Sequence, residues 1–203
     1  MIRPESSASG ERSSAAAELR RLADGLVLDR TVALVGLMGA GKTTIGRRLA
    51  GALDFAFIDA DDEIARAAGQ SVEDIFASQG EIEFRRGERA VIARLLNGPA
   101  HILATGGGAF IDPATRALLR QRAISVWLKA PLEVLMQRVR RRANRPLLKD
   151  DDPTAVMRRL MEVRTPIYAE ADVTVESGNG PHHAAAADVL AALKRFLAER
   201  VGP

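Results

Sequence analysis

The chain has 203 residues, 47% hydrophobic and 27% charged, which is the composition of a globular domain able to bury a full core. Its 29 Lys and Arg stand against 26 Asp and Glu; a net charge of +3, with one Trp and one Tyr, argues against a strongly basic nucleic-acid binder and against an aromatic platform for single strands. Cysteine is absent, which excludes disulfides and thiolate metal sites and fits a reducing cytoplasm, and no run of about eighteen apolar residues offers a membrane span.

Residues 1–28 read as an N-terminal extension. Ile2 to Ala17 is rich in Ser, Ala, Glu and Arg and is expected to be mobile, while Ala15 to Leu28 can form a short helix with Leu19, Leu22 and Leu26 on one side. The extension lacks the apolar core of a secretory signal, and Glu5, Glu11, Glu18 and Asp24 count against an organelle presequence. It is expected to pack loosely or to stay disordered. Residues 29–203 read as one domain.

The apolar run Val32 to Val35 predicts a buried strand, followed by Gly36-Leu-Met-Gly39-Ala-Gly41-Lys42-Thr43 and a helix over Lys42 to Leu53. Phe55 to Ile58 predicts a second short buried strand, and helices follow over Asp61 to Ala68, Ser71 to Ser78 and Glu81 to Leu96, the middle one opened by the cap Ser71-x-x-Asp74. His101 to Thr105 is a third strand, Asp112 to Arg122 a helix, Ala123 to Leu128 a fourth strand and Pro131 to Arg142 a helix. Asn144 to Pro153 is a polar loop bounded by proline, Val156 to Tyr168 a helix interrupted at Pro166, Asp172 to Glu176 a fifth strand and His182 to Arg200 a closing helix. Strand and helix alternate five times, which predicts an α/β fold: a three-layer sandwich with a five-stranded parallel sheet. Ligands of such sheets bind at the carboxyl ends of the strands.

The residues just past each strand therefore matter most. After the first strand comes G-x-x-x-x-G-K-[ST], whose glycines let backbone N–H groups and a helix N-terminus face phosphates. Gly39, Ala40, Gly41, Lys42, Thr43 and Thr44 would hold the phosphates of ATP, with the Lys42 amine on the β- and γ-phosphates and the Thr43 hydroxyl beside Mg²⁺. The second strand ends in Asp59-x-Asp61, two carboxylates suited to a metal and to an acceptor hydroxyl; the plainer alternative is that both only open the next helix. Gly106-Gly107-Gly108 comes after the third strand, either bringing backbone close to a ligand or serving as a flexible connection. Arg145 starts the polar loop and would enter on closure to stabilise the transferring phosphoryl group. Arg85 and Arg164 can each fork onto a carboxylate. Arg138, Arg140, Arg141 and Arg142 form a charge run whose default is a solvated helix face, and His182 and His183 lack metal-ligand spacing and receive no role.

These motifs in order, with Ile58-Asp-Ala-Asp61, Gly80-Glu-x-x-Phe84-Arg85, Asn144-Arg145-Pro-Leu and Arg164-x-Pro-x-Tyr168, make the chain from about Thr31 to Glu176 resemble shikimate kinase. The resemblance implies a P-loop fold of the nucleoside-monophosphate-kinase type with a substrate-binding segment at about 60–97 and a mobile lid loop at about 143–155. It implies transfer of the γ-phosphoryl of ATP to the 3-hydroxyl of shikimate, in aromatic amino acid biosynthesis. Lys42 and Thr43 would then handle phosphates and Mg²⁺ and Asp59 would support the metal. Asp61 would hold the shikimate hydroxyls as base or orienter, Arg85 and Arg164 the carboxylate, and Gly106 to Gly108 would border the same substrate. Arg145 would be the lid arginine and Arg138 the one beside the adenine. A cytoplasmic monomer acting on ATP and shikimate is expected, without nucleic-acid or membrane partners. A gluconate-type sugar-acid kinase and a catalytically silent nucleotide-binding module are the alternatives; the first need not keep Arg85, the glycine run and Arg164 together, and the second should have lost Asp61 or a carboxylate arginine, all of which are present.

Overall fold

Strand β1 (Thr31–Val35) is buried at all five positions, as the middle of a sheet covered on both faces requires. In the structure, a computed structural model describing residues 7–141 and 152–200, β1 lies between β3 (Ile102–Ala104) and β4 (Ala123–Lys129). Strand β2 (Phe57–Asp59) flanks β3 and β5 (Val173–Glu176) flanks β4, and every pairing is parallel. The expected five-stranded α/β sheet is present. Register aligns Asp59 with Ala104 and Leu34 with both Ala104 and Val126, so the turns after these strands all open on one edge.

One outer strand departs from the sequence reading. Strand β2 begins at Phe57, two residues later than expected, and its three residues are only half-buried because it has a neighbour on one side alone. Strand β5, at the other edge, alternates buried Val173 and Val175 with exposed Thr174 and Glu176.

Helix α2 (Lys42–Leu53) opens at Gly41, whose φ of 97° suits glycine, and buries Ile45, Leu49 and Ala50 toward the sheet. Helix α8 (His182–Arg200) packs beside α2 and against β5. Helix α1 (Ser7–Ala23) lies over α2 and α8, with Leu19 and Ala23 buried in the main core and the Lys194 amine donating to the Asp24 carbonyl at 2.8 Å. It begins earlier than the Ala15 start expected and stops before Gly25, whose φ of 73° ends the helix.

Helix α3 (Ala60–Ala68) packs on α4 (Val72–Leu96) through a small separate cluster of Ile64, Ile75, Phe84 and Val91. Ser71 caps α4 as expected, accepting from the Asp74 amide at 3.1 Å. The two helices expected here are present within α4, which is kinked between them at Gly80, where φ is 78° and ψ 175°. A single 3₁₀ turn (Ala109–Ile111) leads into α5 (Pro113–Arg122), which lies against β4. Helix α6 (Leu132–Arg140) comes after β4, and α7 (Pro153–Tyr168) is capped by Asp152. Helix α7 runs on through Pro166 to Tyr168, so the interruption expected there does not occur; the proline, having no N–H, costs the helix one hydrogen bond near its end.

Candidate active site

At the carboxyl edge of the sheet a cleft of about 270 Å³ is walled by Gly39, Gly41, Lys42, Thr43 and Thr44 from the turn after β1. The Lys42 amine donates to the Gly36 and Leu37 carbonyls at 2.7 and 3.0 Å, so the turn holds its own lysine at the mouth. Ala40 is buried, its amide donating to the Leu37 carbonyl at 3.2 Å and its carbonyl facing Ser177 and Arg138. Asp59 opens the next helix, the plainer of the two readings, and also reaches the turn after β1. One carboxylate oxygen caps α3 by accepting from the Asp61 amide at 3.2 Å, and the other accepts the Thr43 hydroxyl at 2.8 Å. A hydroxyl and a carboxylate are thereby joined beside the phosphate-facing turn, an all-oxygen donor pair of the kind Mg²⁺ takes with water and phosphate.

The other end of the cleft is assembled from four elements. Asp61, exposed in the first turn of α3, lines it with Thr105 and Gly107. A Cβ at Gly106 would stand 2.8 Å from Asp61 Oδ1 and 3.0 Å from Glu88 Oε1, and one at Gly108 would collide with the Arg85 guanidinium. Side chains at Gly106 and Gly108 would therefore displace Asp61, Glu88 and Arg85 from where they stand, whereas a Cβ at Gly107 would make only ordinary contact. The Gly107 carbonyl accepts from Arg164 at 3.2 Å and from the Tyr168 hydroxyl.

Arg85 is fixed by its neighbours. Its guanidinium donates to Glu88 at 2.6 Å and to Glu81 at 3.3 Å, and it stacks over Phe84 at 5.2 Å. Burial alone would lower its pKa, but hydrogen bonds and charge from Glu88 and Glu81 outweigh that and raise it. The Glu88 side chain is only 1% exposed, and burial pushes its carboxyl up, helped by Asp61 and Asp112 and opposed by Arg85. Tyr168 is pushed up to about 12 by burial, so its hydroxyl stays a donor.

A family model for shikimate kinase matches residues 38–194. A shikimate kinase of Caulobacter vibrioides is 55% identical over 166 residues, covering 82% of this chain and 83% of its own length. One from Paramagnetospirillum magneticum is 52% identical over 182 residues, covering 89% and 93%. Among solved structures, the shikimate kinase of Acinetobacter baumannii in complex with shikimate superposes with a TM-score of 0.76 at 39% identity, covering 89% of this chain and 98% of that one. The chain belongs to the shikimate kinase family. It is an ATP-dependent kinase.

Of the positions singled out in the sequence, the fold brings Gly39, Gly41, Lys42, Thr43, Thr44, Asp59, Asp61, Gly107 and Arg138 to one cleft. Arg85 and Arg164 reach its edge through Gly108 and Gly107. Arg138 belongs to no solvated face: its guanidinium donates to the Gly39 and Ala40 carbonyls at 3.3 and 3.4 Å and to Ser177 Oγ at 3.1 Å, and burial lowers its pKa. Arg145 and most of the lid loop expected at 143–155 lie outside the described residues. The sequence reading missed Glu88, which helical spacing sets one turn from Arg85, and it named Tyr168 only as part of a motif. It also dismissed His182, which lines the cleft and comes after the fifth strand, where the rule applied to the other strands would have pointed.

Proposed function

We propose that the cleft transfers the γ-phosphoryl group of ATP to the 3-hydroxyl of shikimate, each end of it serving one of the two substrates. The observation that carries the reading is the convergence of Asp61, Arg85 and Arg164 on Gly106 to Gly108, facing Lys42 across one cleft. An acceptor with one carboxylate and several hydroxyls fits that end: the two guanidinium groups take the carboxylate and Asp61 takes the hydroxyls. Asp61 then orients the attacking hydroxyl and accepts its proton as the bond to phosphorus forms. Lys42 and the amides at the start of α2 stabilise the charge gathering on the phosphoryl oxygens. Thr43 and Asp59 would hold Mg²⁺, which supplies further neutralisation of the phosphates when bound. Arg145 enters by sequence resemblance alone, as the arginine brought over the phosphates on closure.

The same reading takes the enzyme as a cytoplasmic monomer acting on two small molecules, without membrane or nucleic-acid partners. The modest charge of +3 supports the reading without a nucleic-acid partner. No helix among the described residues is long and apolar enough to cross a membrane.

The test is a coupled ADP-release assay with Mg²⁺ and ATP, comparing shikimate, gluconate and no acceptor on wild type and on Asp61→Asn. Turnover should require shikimate and fall about 10²- to 10⁴-fold in the variant, the range expected for losing an acid–base group. Turnover with gluconate alone would overturn the substrate, and an unchanged rate in the variant would overturn the role of Asp61.

A further inference from the structure

Tyr168 stands where it can hold the backbone that borders the acceptor end. The glycine run after β3 has three carbonyls, and the chain closes two of them locally: the Ala109 amide donates to Gly106 at 3.2 Å and the Ile111 amide to Gly108 at 3.0 Å. The Gly107 carbonyl is held from outside, by the Arg164 guanidinium at 3.2 Å and by the Tyr168 hydroxyl. Residues four apart on a helix share a face, so α7 brings both donors to one oxygen. Gly107 also lies against the phosphate-facing turn, where a Cβ on it would stand 3.4 Å from the Met38 amide nitrogen. Its carbonyl is thus the point at which α7 grips a strip of backbone lying beside both Asp61 and that turn.

The two donors differ in freedom. Tyr168 is 1% exposed, its ring set beside Phe110 at 6.4 Å and Trp127 at 5.9 Å, and burial pushes its pKa up to about 12, so the hydroxyl keeps its proton and its place. Arg164 is only half-buried, and its guanidinium gains more from a carboxylate than from a neutral carbonyl, because charge-assisted hydrogen bonds are the stronger. The carboxylate of an acceptor therefore competes with Gly107 for Arg164. As Arg164 turns to it the Gly107 carbonyl loses one donor, and the Tyr168 hydroxyl is the one that remains.

We propose that Tyr168 is a positioning residue for the acceptor: its hydroxyl keeps hold of the Gly107 carbonyl while Arg164 turns to the acceptor's carboxylate. This rests on the reading of that end as the site of a carboxylate-bearing acceptor. Without the hydroxyl, Arg164 must serve the carbonyl and the carboxylate at once. Acceptor binding then weakens, while the phosphate end, set by its own backbone, does not change.

The experiment measures KM for shikimate and for ATP, beside thermal unfolding, on wild type, Tyr168→Phe and Ile124→Val. Tyr168→Phe keeps the ring and its stacking and removes the hydroxyl alone. Its KM for shikimate should rise about three- to tenfold, the scale of one hydrogen bond, and its KM for ATP should move less than about twofold. Ile124→Val loosens the core at the opposite end of β4, where Ile124 pairs with Val32, so its melting temperature should fall while both KM values match wild type. Equal rises in both KM values of Tyr168→Phe would overturn the proposal, because the hydroxyl would then serve the whole cleft. So would an unchanged KM for shikimate, or the same rise in Ile124→Val. If Tyr168→Phe melts near the assay temperature, the same comparison is read at about 10 °C, where globular domains are near their greatest stability. A wild type that turns over shikimate but shows no Tyr168 effect defeats only this inference; a wild type that does not turn it over defeats the acceptor reading with it.

Discussion

The two ends of the cleft are built in opposite ways. The turn proposed to hold the phosphates is one stretch of chain, Gly36 to Thr44, whose groups are placed by its own backbone and the start of α2. The end proposed for the acceptor draws Asp61 from α3, Arg85 and Glu88 from α4, the glycine run from the turn after β3, and Arg164 and Tyr168 from α7. Backbone conformation positions the first end, and paired charges in confined space position the second. A contiguous site tolerates change elsewhere in the fold. An assembled one depends on each element that enters it.

Removing a side chain from each end sharpens the contrast. At the phosphate end, Lys42→Ala should cost the most among binding-site changes outside Asp61: about 3–4 kcal/mol of transition-state stabilisation, roughly 10²- to 10³-fold in kcat. Its melting temperature should stay near that of wild type, because the turn is shaped by glycines and by amide contacts that the variant keeps. Steady-state kinetics beside thermal unfolding would check this, and a large loss of stability would break the claim that backbone alone sets this end.

At the acceptor end, Arg85→Lys should be milder and differently distributed. Lysine keeps a positive charge beside Glu88 but loses the planar fork, so the KM for shikimate should rise about ten- to thirtyfold, or about 1.4–2 kcal/mol, while the KM for ATP stays constant. Kinetics with each substrate varied in turn would show the split. A matching rise in the KM for ATP would mean that Arg85 shapes the whole cleft and not its acceptor end.

The same division explains what was legible in the sequence. The parallel sheet and the turn after β1 could be read because both depend on local pattern: a short apolar run, glycines at fixed spacing and an amphipathic helix. Edge strand β2 was read less well, since Phe57 to Asp59 pairs on one side only and burial there is a tertiary outcome. At the acceptor end, Arg85 and Arg164 were found through resemblance to a family. No local pattern shows that Glu88 holds one guanidinium, or that the Gly107 carbonyl receives the other together with Tyr168. The glycine run was recognised for a different reason from the one the structure supplies, namely that Arg85, Glu88 and Asp61 fill the space beside it. His182 was missed because it is remote from Gly41 in the chain and only the folding of β5 beside β4 brings it back.

The smallest expected effect tests how the acceptor end is held. Glu88 is a buried carboxyl whose pKa is raised, first by burial and then by Asp61 and Asp112, with Arg85 pulling the other way. A raised acid in the folded state binds its proton more tightly than in the unfolded chain, so its contribution to stability is full below the ordinary carboxylate value. That contribution is lost as pH rises through the raised value. Glu88→Gln fixes the neutral form and removes this dependence. Thermal unfolding of both proteins over a pH series should therefore show the variant gaining on wild type as pH rises above the ordinary carboxylate range, by no more than about 4 °C in a chain of this size. A variant that instead loses ground with rising pH would mean that the Arg85 pairing outweighs burial, and that Glu88 is held as a stabilising anion.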